Sequence, residues 1–167
     1  MLRSLTHEAA RTLVQAFISS LLDYCNSLLY GVSNSLIRKV QSVQNAAARL
    51  LTGTRRHEHI SPVLRQLHWL PVQRRVDFKL ACFVFSCLSG QAPLYLADDI
   101  HLVSEGPRRR LRSSTDRSCV VPRTHNTFGD RSFAVAGPRI WNSLPGHLRD
   151  EDITYNSFRR ELKAYWF

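Results

Sequence analysis

A long helical repeat of apolar residues between positions 34 and 52 restricts the fold of this chain more than any other feature. Apolar residues recur there at steps of four and three, which is the spacing of one face of an α-helix. They are Leu36, Val40, Val43, Ala47 and Leu50, with Ile37 and Leu51 beside them. Ser33 is a suitable N-cap and Gly53 a suitable C-terminal stop. The sequence therefore predicts a helix over residues 34–52 whose apolar stripe faces a core.

The opposite side of that helix is polar and positively charged. A second stripe is formed by Arg38, Ser42, Asn45 and Arg49, with Lys39 beside it. A helix of this kind can pack through one face and present cations through the other.

Similar patterns predict further helices and a mainly α fold. Residues 6–22 have helical spacing with Thr6 as a cap, and Ser61-Pro62 is expected to begin a short helix that ends near Trp69. Pro71 is expected to begin a helix that runs to about Ser89, and residues 154–166 form the last one. Two short segments, 120–122 and 133–135, are predicted to form a minimal β pair.

The composition changes after Pro93, and this change predicts three parts. Residues 1–100 are expected to form a helical domain, and residues 101–118 a flexible basic linker that is irregular in structure. Residues 119–167 are expected to form a small C-terminal subdomain that holds the β pair and the last helix.

The charge indicates a polyanionic partner. The net charge is +10, and only three of the 23 basic residues are lysines. Guanidinium groups bind phosphate through two parallel hydrogen bonds, whereas ammonium acts as a point charge. Charge placement predicts that nucleic acid contacts Arg38, Lys39, Asn45, Arg49, Arg55, Arg56, Arg74, Arg75, Lys79, Arg108, Arg109, Arg110 and Arg112. A solvated basic loop is the alternative for the last four.

No complete catalytic or metal-binding set is recognised. Asp98-Asp99 resembles the paired carboxylates of a polymerase, but the sequence offers no strand hairpin and no third aspartate on a strand. Zinc ligands could come from His57, His59, His68, Cys82 and Cys87, yet their spacing does not form two close pairs. The sequence has no phosphate-binding glycine loop, and we expect no cofactor.

The amino terminus carries charged residues and lacks the apolar core of a secretory signal. The four cysteines are therefore expected to be reduced thiols, and the protein to lie inside the cell, in the nucleus or the cytoplasm. No apolar run reaches the ~20 residues needed to cross a bilayer.

Four segments, in order, resemble a known family. They are YCNSLLYG (residues 24–31), VQNAAARLLTG (43–53), HISPVL with LHWLPV (59–64 and 67–72), and FGDRSF with GPRIWNSLP (128–133 and 137–145). This set resembles the carboxy-terminal region of LINE-type (non-LTR) retrotransposon reverse transcriptases of the chicken-repeat-like kind. The resemblance covers nearly the whole chain.

The resemblance implies a position after the polymerase palm, with residues 1–100 as thumb-like helices followed by a post-thumb segment. The palm aspartates and the endonuclease of that family would lie upstream, so the region itself is expected to be non-catalytic. A thumb grips the sugar-phosphate backbone of a template–primer without reading its sequence. The alternatives are a helical module that binds a palm domain or another protein through an exposed apolar face, and a retroelement remnant without function.

Overall fold

The computed structural model describes residues 6–105 and 117–167 and shows a mainly helical protein, as the sequence predicts. The helices are α1 (His7–Val14), α2 (Ser20–Asp23), α3 (Asn34–Thr52), α4 (Ile60–Gln66), α5 (Val72–Leu88), α6 (Leu94–Ala97), α7 (Phe133–Asn142) and α8 (Tyr155–Tyr165). A π turn, Gln15–Ser19, joins α1 to α2.

The chain divides into two compact units by its internal contacts. Unit 1 comprises Met1–Val76 together with Phe167, and unit 2 comprises Asp77–Trp166. The division falls within α5, whereas the change in composition had suggested a boundary near residue 100. The composition of a segment reflects the polarity of its own residues, whereas the two units are defined by packing. The boundary falls within α5 because this helix supplies core residues to unit 2.

In unit 1, α3 packs against both α1 and α4. Val14 of α1 packs against Ala47 and Leu51, while Val63 and Leu64 of α4 pack against Ala48. The predicted Thr6 cap and Gly53 stop are confirmed, because Thr6 accepts a hydrogen bond from the Ala9 amide and Gly53 has a φ of 68°. That positive φ is open to glycine at little cost and stops α3. Ser33 occupies the N-cap position of α3 but its side chain makes no capping hydrogen bond.

The buried face of α3 is rotated from the predicted one. Ile37, Gln44, Ala47, Ala48 and Leu51 are buried, whereas three residues of the predicted core stripe are about half exposed. These are Leu36, Val43 and Leu50, at 50%, 51% and 48% exposure. The expectation that the whole stripe lies in the core was wrong, because the apolar arc of α3 is wider than the surface that α1 and α4 cover.

Two side-chain amides, one buried and one partly buried, connect α3 to the start of α5. Gln44 is fully buried and donates through Nε2 to the Leu70 carbonyl oxygen at 2.8 Å. Gln41 donates through Nε2 to Oε1 of Gln44, and its own Oε1 accepts from the Val72 amide at 2.8 Å. Gln41, 31 residues away in the sequence, thus accepts a hydrogen bond from the Val72 amide. Amides in the first turn of a helix have no partner within the helix itself.

The start of α4 also differs from its prediction. His59 occupies the N-cap position and Ile60 begins the helix, so Ser61 lies inside the first turn and is not the cap. The helix ends at Gln66, before Trp69, and His68 has a positive φ of 55°. The reversal at His68 ends the helix earlier than the apolar pattern indicated.

Unit 2 is built around aromatic side chains. The rings of Phe85 in α5 and Phe158 in α8 stack with centroids 4.6 Å apart, and Trp141 of α7 lies 5.8 Å from Phe158. Trp141, Leu148, Phe158 and Leu162 are almost completely buried. The predicted C-terminal helix is confirmed as α8, capped by the Thr154 side chain.

The predicted β pair was wrong. Residues 133–135 form the first turn of α7, and the bridge seen in the described part of the chain joins Leu102 to Cys119 instead. A three-residue apolar run is compatible with either a strand or a buried helix turn, and packing decides between them. Here α7 must approach α5 closely, since a Cβ on Gly137 would lie 2.9 Å from Cγ2 of Val84.

All four cysteines are free thiols; Cys25 is exposed, and Cys82, Cys87 and Cys119 are buried. Within residues 6–105 and 117–167, no helix combines the length and the apolar character needed to cross a bilayer.

Candidate nucleic-acid interface

The polar face of α3 presents two exposed cations. Arg38 and Lys39 lie in the first two turns, and both side chains are exposed to solvent. Neither side chain forms a hydrogen bond or an ion pair with another residue that the structure describes. Their charges are therefore open to a ligand.

A second pair of cations lies in the loop that follows α3. Arg55 and Arg56 are exposed in this loop. The Arg49 Nη2 donates to the Glu58 carbonyl oxygen at 3.2 Å, and the Glu58 amide donates to the Arg55 carbonyl oxygen at 3.2 Å. Arg49 thus holds the loop against the polar stripe of α3.

These contacts place Arg38 and the loop pair on one side of unit 1, and Lys39 lies next to Arg38, about 100° further around α3. Arg38 and Arg49 are eleven residues apart, which is close to three helical turns, so they share a face of α3. Because the loop is tied to Arg49, Arg55 and Arg56 extend that face beyond the end of the helix. Arg38 and Thr52 are separated by roughly 20 Å along the axis. We call Arg38, Lys39, Arg55 and Arg56 the cationic surface.

Three predicted contact residues form hydrogen bonds within unit 1. Arg75 is nearly buried; its Nη1 donates to Asp23 Oδ1 at 2.7 Å and its Nε to the Leu70 carbonyl oxygen at 3.0 Å. Asn45 is half-buried and accepts a hydrogen bond from Gln41, and Arg49 holds the loop. These three side chains therefore support the fold of unit 1 next to the cationic surface.

The remaining residues that were predicted to contact nucleic acid are not part of the cationic surface. Arg74 is exposed near the start of α5. Lys79 belongs to unit 2 and lies over the Phe83 ring, 5.1 Å from its centroid. Arg108, Arg109, Arg110 and Arg112 lie outside the residues that the structure describes.

Two exposed cations among the described residues of unit 1 were not predicted from the sequence. Arg11 lies in α1 and Arg65 in α4, and neither has another basic residue beside it in sequence. Clusters of basic residues and the long helix guided the prediction, so single arginines on short helices gave too little signal.

The residues considered for catalysis do not assemble. Asp98 and Asp99 are exposed at the end of α6, and no strand hairpin presents them. Within the described ranges, no group of three or more His, Cys, Asp or Glu residues could hold a metal ion. His57 and His59 are exposed, and the ring of His68 packs edge-on against Phe167.

The displaced pKa values of unit 2 have structural causes. Burial raises the pKa of the Cys82 thiol to about 11, although Arg159 and Lys79 oppose the shift. Hydrogen bonds from Thr124 and then Arg139 lower the pKa of the Asp130 carboxyl group. Cys82 is therefore a protonated core thiol at neutral pH rather than a nucleophile.

Comparisons of the chain with family models, with curated proteins and with solved structures find no match.

Proposed function

We propose that this chain is a non-catalytic nucleic-acid-binding region that contacts the sugar-phosphate backbone through the cationic surface. The observation that carries the proposal is the placement of the exposed Arg38, Arg55 and Arg56 on one side of unit 1, with Lys39 next to Arg38 and Arg49 fixing the loop that bears two of them.

The chemistry of the surface suits phosphates better than bases. Three of its four residues are arginines, whose planar groups bind phosphate oxygens in pairs. Duplex DNA carries a phosphate every 3.4 Å along each strand, so a surface about 20 Å long spans roughly six of them. Backbone contacts of this kind position a protein and carry no sequence information. The binding we propose is therefore strongly salt-dependent and independent of sequence.

The resemblance to the region after the palm of non-LTR retrotransposon reverse transcriptases agrees with this proposal. A thumb needs helices with one packed and one cationic face, and α3 has that arrangement. We propose that RNA, DNA or their hybrid is bound in the manner of a template–primer.

The test is the salt dependence of binding to a labelled RNA–DNA hybrid and to duplex DNA. On duplex DNA, the slope of log Kobs against log salt is about −0.9 for each phosphate neutralised. The paired variants Arg38→Gln/Lys39→Gln and Arg55→Gln/Arg56→Gln should each flatten the slope by about 1.8, and together by about 3.6. Anisotropy between about 50 and 200 mM salt measures this.

The matched control changes the same charge in unit 2. Arg123 and Arg160 are exposed there, and Arg123→Gln/Arg160→Gln should leave the slope almost unchanged. Equal flattening by the control and by the cationic-surface variants would show that binding follows net charge alone. A slope that none of the variants changes would contradict the proposed surface.

The absence of catalysis is tested separately by primer extension with Mg²⁺. We expect no product above background, and extension that depends on Asp98 and Asp99 would overturn that part of the proposal. Protein binding that is insensitive to both salt and added duplex would favour the alternative helical interaction module. A chain that binds neither would be a remnant without function.

A further inference from the structure

The turn before α7 presents an aromatic ring to solvent. Phe128 is 79% exposed, more than any other aromatic side chain in the part of the chain that the structure describes. The next aromatic residue, Phe133, is packed instead, with its ring edge-on to that of Phe83 and the centroids 6.3 Å apart. Single apolar residues are common at protein surfaces, so the surroundings of Phe128 decide whether it has a role.

Hydrogen bonds hold this turn in one conformation. Asn126 Oδ1 accepts from the Gly129 amide at 2.6 Å, and the Asn126 carbonyl oxygen accepts from the Asp130 amide at 3.2 Å. Ser132 donates through its amide and its Oγ to the Gly129 carbonyl oxygen, at 3.0 and 2.7 Å. Thr124 Oγ1 donates to Asp130 Oδ1 at 2.7 Å. Four polar side chains are therefore used in fixing the turn, so the aromatic ring is presented to a ligand at little further cost in conformational entropy.

The charges beside the ring favour a negatively charged partner. Phe128 immediately precedes a 3₁₀ turn, Gly129–Arg131, and the Arg131 amide donates to the Phe128 carbonyl oxygen at 3.1 Å. Side chains three residues apart overlie each other in a 3₁₀ turn, so the exposed Arg131 lies on the same side as the ring. The carboxylate of this turn belongs to Asp130, which pairs with Arg139 at 2.7 Å. The net charge beside the ring is thus positive.

A second exposed ring of unit 2 has the opposite surroundings. Tyr95 in α6 is 73% exposed, but Asp98 and Asp99 follow it within four residues, and both are exposed. Carboxylates repel the phosphates of a nucleic acid. The two rings are therefore alike in exposure and differ in charge, since Phe128 has a cation beside it and Tyr95 has two carboxylates.

An exposed ring beside a cation suits single-stranded nucleic acid. The ring stacks on a base, and the cation binds a neighbouring phosphate of the same strand. The bases of a duplex are already stacked and paired, whereas an unpaired base can turn out of the strand onto a protein ring. A protein partner would need a larger apolar area than one ring supplies.

We propose that Phe128 and Arg131 bind one unpaired nucleotide of a single-stranded RNA or DNA, with the base stacked on the ring and a phosphate held by the guanidinium group. This stacking site belongs to unit 2, whereas the cationic surface belongs to unit 1. It rests on the proposed function only in taking nucleic acid as the partner. The site binds without sequence preference, because every base has a π face.

Anisotropy of a labelled oligothymidylate of about ten nucleotides tests the stacking site. Phe128→Ala should weaken binding about tenfold, because the stacking of one base is lost, and Phe128→Trp should retain it. An abasic strand of the same length keeps the phosphates and lacks the bases, so the wild type and Phe128→Ala should bind it equally. Circular dichroism and thermal unfolding establish that Phe128→Ala retains the fold, as expected for a ring that is 79% exposed.

The matched control is Tyr95→Ala, which should leave single-strand binding within about twofold of the wild type. Arg131→Gln should flatten the slope of log Kobs against log salt by about 0.7, the value for one phosphate of a single strand. The proposal would be overturned by an equal loss in Tyr95→Ala, or by a loss in Phe128→Ala that persists on the abasic strand. A wild-type chain that does not bind the oligothymidylate would overturn it as well.

Duplex DNA separates the stacking site from the cationic surface. Phe128→Ala should bind a duplex within about twofold of the wild type, while the cationic-surface variants should flatten the salt slope on the same duplex. If only those variants fail to act, the cationic surface is contradicted and the stacking site is supported. If Phe128→Ala leaves single-strand binding unchanged, the stacking site alone is contradicted.

Discussion

Unit 1 and unit 2 both expose large apolar side chains, but their cores are built from residues of different size. In unit 2 the core contains large rings, because Phe85, Trp141 and Phe158 form an aromatic cluster. In unit 1 the core clusters around α3 include the small residues Ala47 and Ala48. The comparison teaches that apolar content does not measure the size of a core. Unit 2 has a large aromatic core, whereas unit 1 has smaller core clusters packed around α3 and exposes the cations Arg38, Arg55 and Arg56.

The largest effect is expected from the centre of unit 2. Phe158→Ala removes a fully buried ring that stacks on Phe85, and should lower the free energy of unfolding by about 3–5 kcal/mol. Urea unfolding followed by tryptophan fluorescence measures this, since Trp141 lies beside the ring. Tyr165→Ala on the same helix is the control, because Tyr165 is 52% exposed. Equal losses for the two variants would show that the buried Phe158 ring contributes no more to stability than an exposed ring, and would contradict the aromatic core assigned to unit 2.

A smaller effect is expected at the buried side-chain amide of unit 1. Gln44→Leu keeps the volume but removes the hydrogen bonds to Leu70 and Gln41, so it should cost about 1–3 kcal/mol of unfolding free energy. Ser42→Ala on the exposed side of α3 is the control and should have little effect. If Gln44→Leu stabilised the protein, the amides would not be what connects α3 to α5.

The stability of unit 2 should fall as the pH rises from 9 to 11. The pKa of Cys82 is 9.0 in its reference state and about 11 in the fold, so over this range the unfolded chain loses a proton that the folded chain keeps. Loss of protons from the unfolded state favours unfolding, by about 1 kcal/mol per pH unit for one group. Denaturant unfolding at several pH values measures this slope.

Cys82→Ala should reduce that slope, while Cys25→Ala should not, because Cys25 is exposed. Other groups also titrate in this range, so the difference between the two variants is the informative quantity. Identical slopes for both would show that burial of the Cys82 thiol does not govern the pH dependence.

The smallest effect is expected at an exposed apolar residue of α3. Leu36→Ser should change the free energy of unfolding by less than about 0.5 kcal/mol, because Leu36 is already half exposed. Thermal and denaturant unfolding at low protein concentration measure this value. A loss above about 2 kcal/mol would place Leu36 in a core and would remove the contrast between the units.

The sequence by itself determined the features that depend on neighbouring residues. The helices at 34–52 and 71–89 follow from apolar spacing, and their ends follow from Gly53 and Pro71. Helical geometry and capping act over a few residues, so they can be read directly. The mainly α class follows from the same patterns. The short run at 133–135 was ambiguous, because three residues cannot distinguish a period of two from one of 3.6.

Only the tertiary structure decided which side of each helix is covered and which cations are free. Leu36 and Leu51 belong to one apolar arc, yet α1 and α4 bury only Leu51. Arg38 and Arg75 are the same residue type, but Arg75 meets Asp23, 52 positions away in the chain, while Arg38 stays exposed. Such differences come from contacts between distant segments. The chemistry of a side chain specifies which groups it can bind. The fold determines whether that side chain is already engaged with another residue, as Arg75 is, or is exposed to solvent, as Arg38 is.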